Sequence, residues 1–360
     1  MTRWIRTLTA VALSFGLSMA TAQVTAPVVA APYYSAEQAM QGLYTHHLPP
    51  LARAFQAEAD QLVNTTGQYC QGKTPLASLR EQWQRTLVSW ESLSTPAVGP
   101  VVTRRSQRQI DFWPTRPDLL RRSLEKAPAS LADMERVGTP AKGFPAFEVL
   151  MTRWAASHQP APAVACRYAE LVSQGIAAEA RELLDELGIW ASKEWDDEPE
   201  LTTASLAEWV NQWLAGLERL RWAHIEKPIT SHQTTGNAAK GTPVPYARLD
   251  RESGLLDWRA QWQSLFAQGR LPAGSPPPVG GNALVPMEAL LMGKGQLALA
   301  QKWGQALDEV TAGMDKLTPR SSEREMLAVT KSMKAVTVLF QNEVAAALDV
   351  PLGFSDADGD

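Results

Sequence analysis

The sequence predicts an all-α protein: two related up-and-down helical bundles with pseudo-twofold symmetry. Three observations carry that prediction. Apolar residues recur three or four positions apart over long stretches, the signature of one buried helical face. The stretches are separated by loops rich in proline and glycine, such as "HQPAPA" (158–163) and "LPAGSPPPVGGN" (271–282), which break helical geometry. No run alternates apolar and polar residues as a half-buried strand would.

In chain order, residues 1–22 come first. "MTRWIR" is cationic, "LTAVALSFGLSMA" is apolar and "ATA" (20–22) is small, the layout of a secretory signal peptide whose apolar core is too short for a retained span. The first bundle is expected over 33–198. Its clearest helix covers 76–93, with Leu79, Trp83, Leu87 and Trp90 on one face. A short helical segment follows at 115–126. "EWDDEPE" (194–200) reads as a helix start, because acidic residues suit the positive end of the helix dipole and Pro199 suits a first turn. The second bundle is expected over 199–352. It has helices at 201–226 (Leu206, Val210, Trp213, Leu217, Leu220), 252–268 and 322–348 (Met326, Val329, Met333, Val336, Phe340, Val344, Leu348), and a loop at 227–245. Residues 353–360 form an acidic tail. "DADGD" (356–360) is too short for a twelve-residue calcium loop.

A repeat supports the two-bundle division. "GFPAFEVLM" (143–151) lies over "ALVPMEALL" (283–291). Glu148 then falls on Glu288, each among apolar residues after a proline- and glycine-rich loop. Such self-similarity over half a chain marks a duplicated helical unit.

Composition narrows the function. The net charge of −4 becomes −6 once Arg3 and Arg6 leave with the signal peptide. No basic stripe is present, so nucleic acid is excluded as a partner. Cys70 and Cys166 are the two cysteines. In an oxidising compartment they are expected to pair, closing a long loop worth roughly 4–5 kcal/mol in the chain-entropy model; two buried free thiols are the alternative. The five histidines, His46, His47, His158, His224 and His232, form no His-Glu-x-x-His motif, the usual zinc-peptidase arrangement. Adjacent His46 and His47 diverge on a helix. Most of the thirteen tryptophans sit at core spacing. Trp113 does not, since "RQIDFWPTRP" (108–117) reads as a loop mixing Arg108, Asp111 and Arg116 with aromatics. That loop is either a binding surface or a segment pinned by an arginine–aspartate pair.

The stretch "GTPAKGFPAFEVL" (138–150), preceded by "WQRTLVSWESLSTPAVGP" (83–100) and "RQIDFWP" (108–114), resembles the imelysin family of secreted bacterial proteins. "YARLDRESGLLDWRAQWQSL" (246–265) is similar to the start of that family's second half. The resemblance implies two four-helix bundles, a periplasmic or outer-membrane-associated location, and a link to iron acquisition; some members are named as metallopeptidases. The family signature is Gly-x-His-x-x-Glu, whose histidine and glutamate are proposed metal ligands. Here Gly143 and Glu148 match, but Pro145 stands at the histidine position.

Proline supplies no ligand atom, and a lone carboxylate favours hard cations. Glu148 is expected to satisfy free N–H groups at its own helix start, with Arg108 or a residue of the other half as its partner. Glu148 and Glu288 are expected to face one another near the bundle interface. They would form either a cation site for iron, zinc or calcium, or a structural hub if arginines reach them; the missing imidazole favours the hub. The candidate binding residues are therefore Gly143, Glu148, Glu288, Arg108, Asp111 and Trp113. The expected function is a periplasmic, non-catalytic binding component of iron or other metal acquisition. Its partners would be a metal ion or small ligand and a cell-envelope protein. The rivals are a metallopeptidase and a polysaccharide- or partner-binding module.

Overall fold

Helix follows helix from Ala36 to Ala347 in the computed structural model, which describes residues 32–157, 159–237 and 241–353. The expected signal peptide, His158, residues 238–240 and the expected acidic tail beyond Gly353 lie outside the described residues. No strand occurs among the described residues, so the chain is all-α.

The first half contributes α1 (Ala36–Gln41), α2 (Leu48–Cys70), α3 (Leu76–Ser94), the short α4 (Pro100–Thr103), α5 (Ser106–Ile110), α6 (Pro117–Glu125) and α7 (Leu131–Glu135), then α8 (Gly143–Ser157) and α9 (Ala163–Ala191). The second contributes α10 (Pro199–Glu218), α11 (Lys227–Thr234), α12 (Arg251–Gly269), α13 (Met287–Gly293), α14 (Leu297–Lys316), α15 (Glu323–Leu339) and α16 (Ala345–Ala347). Helix α2 packs on α3 and α9, and α8 lies on α9. In the second half α14 packs on α15, while α10 and α12 pack on each other. The expected boundary near 198 falls in the turn before α10, and residues on both sides belong to one compact unit. Helix α3 runs against α12, and α1 against α10.

The tryptophan spacing reports on the core as expected. Trp83, Trp90, Trp209, Trp213 and Trp303 are fully buried. Buried indole N–H groups usually find an acceptor, though that of Trp83 has none. Trp213 Nε1 donates to the Leu265 carbonyl at 2.8 Å, Trp303 Nε1 to that of Gly269 at 2.8 Å, and Trp209 Nε1 to Gln268 at 2.6 Å. The cysteines form a disulfide joining the end of α2 to the start of α9.

One expected loop is helical. The sequence reads Lys227 onward as a break because of Pro228, yet the helix runs on to Thr234. The reason is a widened π-helical turn at Arg219–Glu226, in which the Lys227 N–H reaches back five residues to the Trp222 carbonyl. Proline lacks an N–H and collides with the carbonyl four residues back in a regular α-helix; the wider turn relieves both conflicts. The same device precedes Pro49, where Gly42–His47 is π-helical and the Leu48 N–H reaches the Leu43 carbonyl.

Gly143 opens α8 at φ 66°, and a Cβ placed there would sit 1.9 Å from the carbonyl oxygen of Ile110. Only glycine allows α8 to begin so close to the end of α5. Gly143→Ala is expected to cost at least ~2 kcal/mol in urea unfolding, from left-handed strain plus the backbone collision. Gly175, inside α9 with open space around it, supplies the contrast. Gly175→Ala should gain about 0.5–1 kcal/mol.

Candidate functional site

The helices place a charged cluster at the centre of the molecule, where α3 meets α12. Helix α3 turns Trp90, Glu91 and Ser94 inward, and α12 turns Asp257 and Gln261 inward, one turn apart. The segment leading into α12 inserts Arg248, which is 3% exposed. Its guanidinium is saturated with carboxylates. Nη1 and Nη2 donate to the two oxygens of Asp111 at 2.7 Å each, Nε to Asp257 at 3.0 Å, and Nη2 also to Glu91 at 3.2 Å. A planar guanidinium matches this bidentate geometry where an ammonium would not.

The neighbours settle the remaining charge. Trp90 Nε1 donates to Asp111 at 3.2 Å. Gln261 donates to Asp257 at 2.8 Å and to His224 Nδ1 at 3.0 Å, which leaves the His224 proton on Nε2. Burial pushes Glu91 well above the usual carboxylate range, reinforced by Asp257 and Asp111 and opposed by Arg219 and Arg248. Burial also acts to raise Asp111, but the charge and hydrogen bonds of Arg248 hold it below its ordinary value. Desolvation brings His224 down to about 4, so it is neutral at pH 7.

Above this network lies a cavity of about 270 Å³ bordered by Ser94, Gln107, Arg108, Trp113, Arg219 and His224. It lies between α3, α5 with the segment after it, and the π-helical turn at 219–226. Arg219 donates from Nη2 to the Thr95 hydroxyl at 2.8 Å, and that hydroxyl donates to Glu91 at 3.3 Å. Arg219 Nε and the Ser94 hydroxyl are buried without a hydrogen-bond partner.

The sequence placed Arg108, Asp111 and Trp113 together, and all three border this cavity. Two details differ from expectation. Residues 106–110 are helical, so the loop proper begins at Asp111. The arginine that pins Asp111 is Arg248 rather than Arg108 or Arg116, because the buried network sits on the inner side of the loop and Arg108 is exposed. Arg248, Glu91, Asp257, Arg219 and His224 were not singled out from the sequence. The available signal was polar residues in buried helical register: Glu91 four after Leu87, Asp257 beside Trp258 and Gln261 beside Trp262.

Glu148 and Glu288 each have partners of their own, Leu249 of the other half for the first and Arg270 for the second. Glu148 is 3% exposed and does not cap its own helix. Its Oε1 accepts the Leu249 N–H at 2.8 Å, while Oε2 is buried without a partner. The sixth residue of α8 projects sideways onto the strand of chain entering α12, too far along to reach the first free N–H groups. Glu288 accepts from Arg270 Nη1 at 2.6 Å and from the Leu271 N–H at 2.7 Å. Each glutamate thus holds the backbone N–H that follows an arginine, 248 or 270, and the two share no partner. Burial pushes Glu148 up to about 7, against the opposing pull of Arg248 and the Leu249 N–H. These donor sets do not fit a metal ion. Each offers one carboxylate with a guanidinium beside it, whereas a transition or hard cation needs several converging ligands. Among the described residues no group of three or more His, Cys, Asp or Glu side chains is placed to hold a metal ion.

The fold and site define a class: an all-α protein whose two helical halves close on a buried guanidinium–carboxylate network beside a small polar cavity. The sequence model described as imelysin, peptidase M75, matches residues 47–349, and the chain belongs to the imelysin family. Two solved structures share the fold. An imelysin-like protein from Psychrobacter arcticum 273-4 superposes with a TM-score of 0.67 at 17% identity, over 91% of this chain and 100% of that one. A putative iron-regulated protein A precursor from Parabacteroides distasonis ATCC 8503 gives 0.66 at 14% identity, over 88% and 98%. No curated protein matches the sequence.

Removing Arg248 would leave buried carboxylates uncompensated. Arg248→Gln is expected to cost about 3–5 kcal/mol in denaturant unfolding. Arg121→Gln, which breaks only the exposed pair with Glu125, should change stability by less than about 1 kcal/mol. Glu148 sets a pH dependence of its own. Because its folded pKa lies above the unfolded value, the folded state binds more protons between about 4.5 and about 7, and its contribution to stability falls as pH rises through that window. The opposite slope comes from His224 and His47, both brought down to about 4 by burial. Comparing Glu148→Gln with the parent isolates the first effect. The variant's relative stability should increase by on the order of 1–3 kcal/mol from pH 4.5 to pH 8 and stay flat below. A difference independent of pH would show that Glu148 does not titrate there.

Proposed function

We propose that this chain is an exported, non-catalytic binding component of iron or other metal acquisition, built from two related helical bundles and acting in the periplasm. Its binding site is the cavity beneath Trp113. One observation carries this reading: Arg219 and Ser94, each with a buried polar atom that lacks a hydrogen-bond partner, border a cavity whose neighbouring carboxylates are engaged by Arg248. A buried polar group without a partner costs free energy, and a ligand supplying acceptors would recover it. The printed name of the Parabacteroides relative, a putative iron-regulated protein A precursor, supports the iron connection, and the signal-like residues 1–22 support export.

Metal enters this reading as part of a ligand, because Glu148 and Glu288 are committed to backbone N–H groups and, for Glu288, to Arg270. A peptidase would need an activated water or nucleophile. His224 is bonded to Gln261, and Glu91 belongs to the Arg248 cluster. The polysaccharide alternative rests on Trp113 alone.

Hydrogen exchange across residues 106–116, in the presence of iron salts, ferric chelates or cell-wall glycans, tests the site. Protection of this segment by an iron source, together with no hydrolysis of a protein substrate, is the expected result. Hydrolysis abolished by a chelator would overturn the non-catalytic reading. Protection by glycan alone would move the chain to the polysaccharide class.

A further inference from the structure

The chemistry of the cavity wall specifies its ligand more narrowly. Two guanidinium groups, Arg108 and Arg219, border the space, and among the described residues neither forms an ion pair with a carboxylate. Two other arginines of the interior are paired: Arg248 with three carboxylates, Arg104 with Glu179 and Glu186. Arg219 is partly buried and Arg108 is exposed at the rim; a ligand carboxylate or phosphate group is the natural complement of an unpaired guanidinium.

The acidic residues at the cavity do not cancel this field. Both Asp111 oxygens are taken by Arg248, one also by Trp90. Glu91 keeps its proton to well above the usual range. His224 Nδ1 accepts from the Gln261 amide and the ring adds no charge. The remaining polar residues of the wall are Arg219, Arg108 and Ser94, with Trp113 and Phe112 beside them.

Size and donor number then choose among anions. A volume of about 270 Å³ lies just below the range of ligand pockets, which run from about 300 Å³ upward, and so admits only a small ligand. Separate donors on α3, the α5 region and the 219–226 turn suit a ligand with several acceptor groups spread over a short carbon frame. One tetrahedral anion would satisfy fewer of them. We propose that the cavity binds a small polycarboxylate, free or as its ferric chelate. The inference rests on the cavity being the binding site, as argued above, and it explains how metal handling proceeds without a protein-held ion: the carboxylates carry the metal, and the arginines carry the carboxylates.

The test is calorimetric titration of the chelator-stripped protein with citrate, ferric citrate and inorganic phosphate, beside Arg108→Gln, Arg219→Gln and Ser94→Ala. Arg219→Gln disturbs the Thr95 contact, so a thermal melt accompanies it; Arg108 is exposed and makes no side-chain hydrogen bond, so its variant should fold normally. One-to-one binding of citrate or its ferric chelate, weakened about tenfold or more in each arginine variant and by added salt, is the expected result. Tighter binding of the ferric chelate than of citrate identifies the loaded form as the ligand; equal binding identifies the carboxylate alone. Absence of binding by both, phosphate binding as tight as citrate, or affinities unchanged in both arginine variants would overturn the proposal. Hydrogen exchange separates this failure from that of the broader reading. If iron salts protect residues 106–116 while citrate does not bind, the site stands and the ligand class falls. If nothing protects the segment, both fall.

Discussion

The protein is organised around one buried guanidinium. Arg248 takes carboxylates from α3, from the end of α5 and from α12, so a single side chain fastens elements of both halves. Buried charge is tolerated only when it is paired and its hydrogen bonds are satisfied, and here every nitrogen of Arg248 has a partner. Three carboxylates around one cation would still be repulsive. Burial pushes the Glu91 carboxyl upward, toward its neutral form, which lessens that repulsion.

The cavity follows from the same arrangement. Arg248 draws Asp111 inward, which fixes the start of the 111–116 segment and leaves Arg108 on its outer side. The π-helical turn at 219–226 brings Arg219 and His224 to the opposite wall, and the same turn lets the helix pass Pro228. Widened turns of this kind often mark functional positions. The backbone irregularity and the unpaired donor thus occur at one place.

Glu148 and Glu288 show how a signature residue acquires a structural use. With Pro145 in the first turn of α8, no imidazole stands beside Glu148. The carboxylate instead accepts the Leu249 N–H, one residue from Arg248. It therefore steadies the segment that delivers the central arginine. Glu288 holds the Leu271 N–H in the same manner and takes Arg270 directly. Gly143 belongs to this construction too, because its missing Cβ lets α8 start against Ile110, next to Asp111.

The sequence by itself determined the helical class, the main helices, the tryptophan-lined cores and the Cys70–Cys166 bridge. These depend on periodicity, on turn-breaking residues and on pairing of two thiols, which are local or compositional properties. It also marked Glu148, Glu288, Arg108, Asp111 and Trp113 as residues needing explanation, since a charge among apolar neighbours, or an aromatic off the core stripe, is conspicuous in one dimension. Only the tertiary structure decided their partners. Asp111 and Arg248 are 137 residues apart, and Glu148 and Leu249 are 101 apart. Nothing in the period of a helix says which distant guanidinium or N–H will meet a carboxylate. That pairing is fixed when α3 packs on α12, because only then does burial force each charge to find its complement.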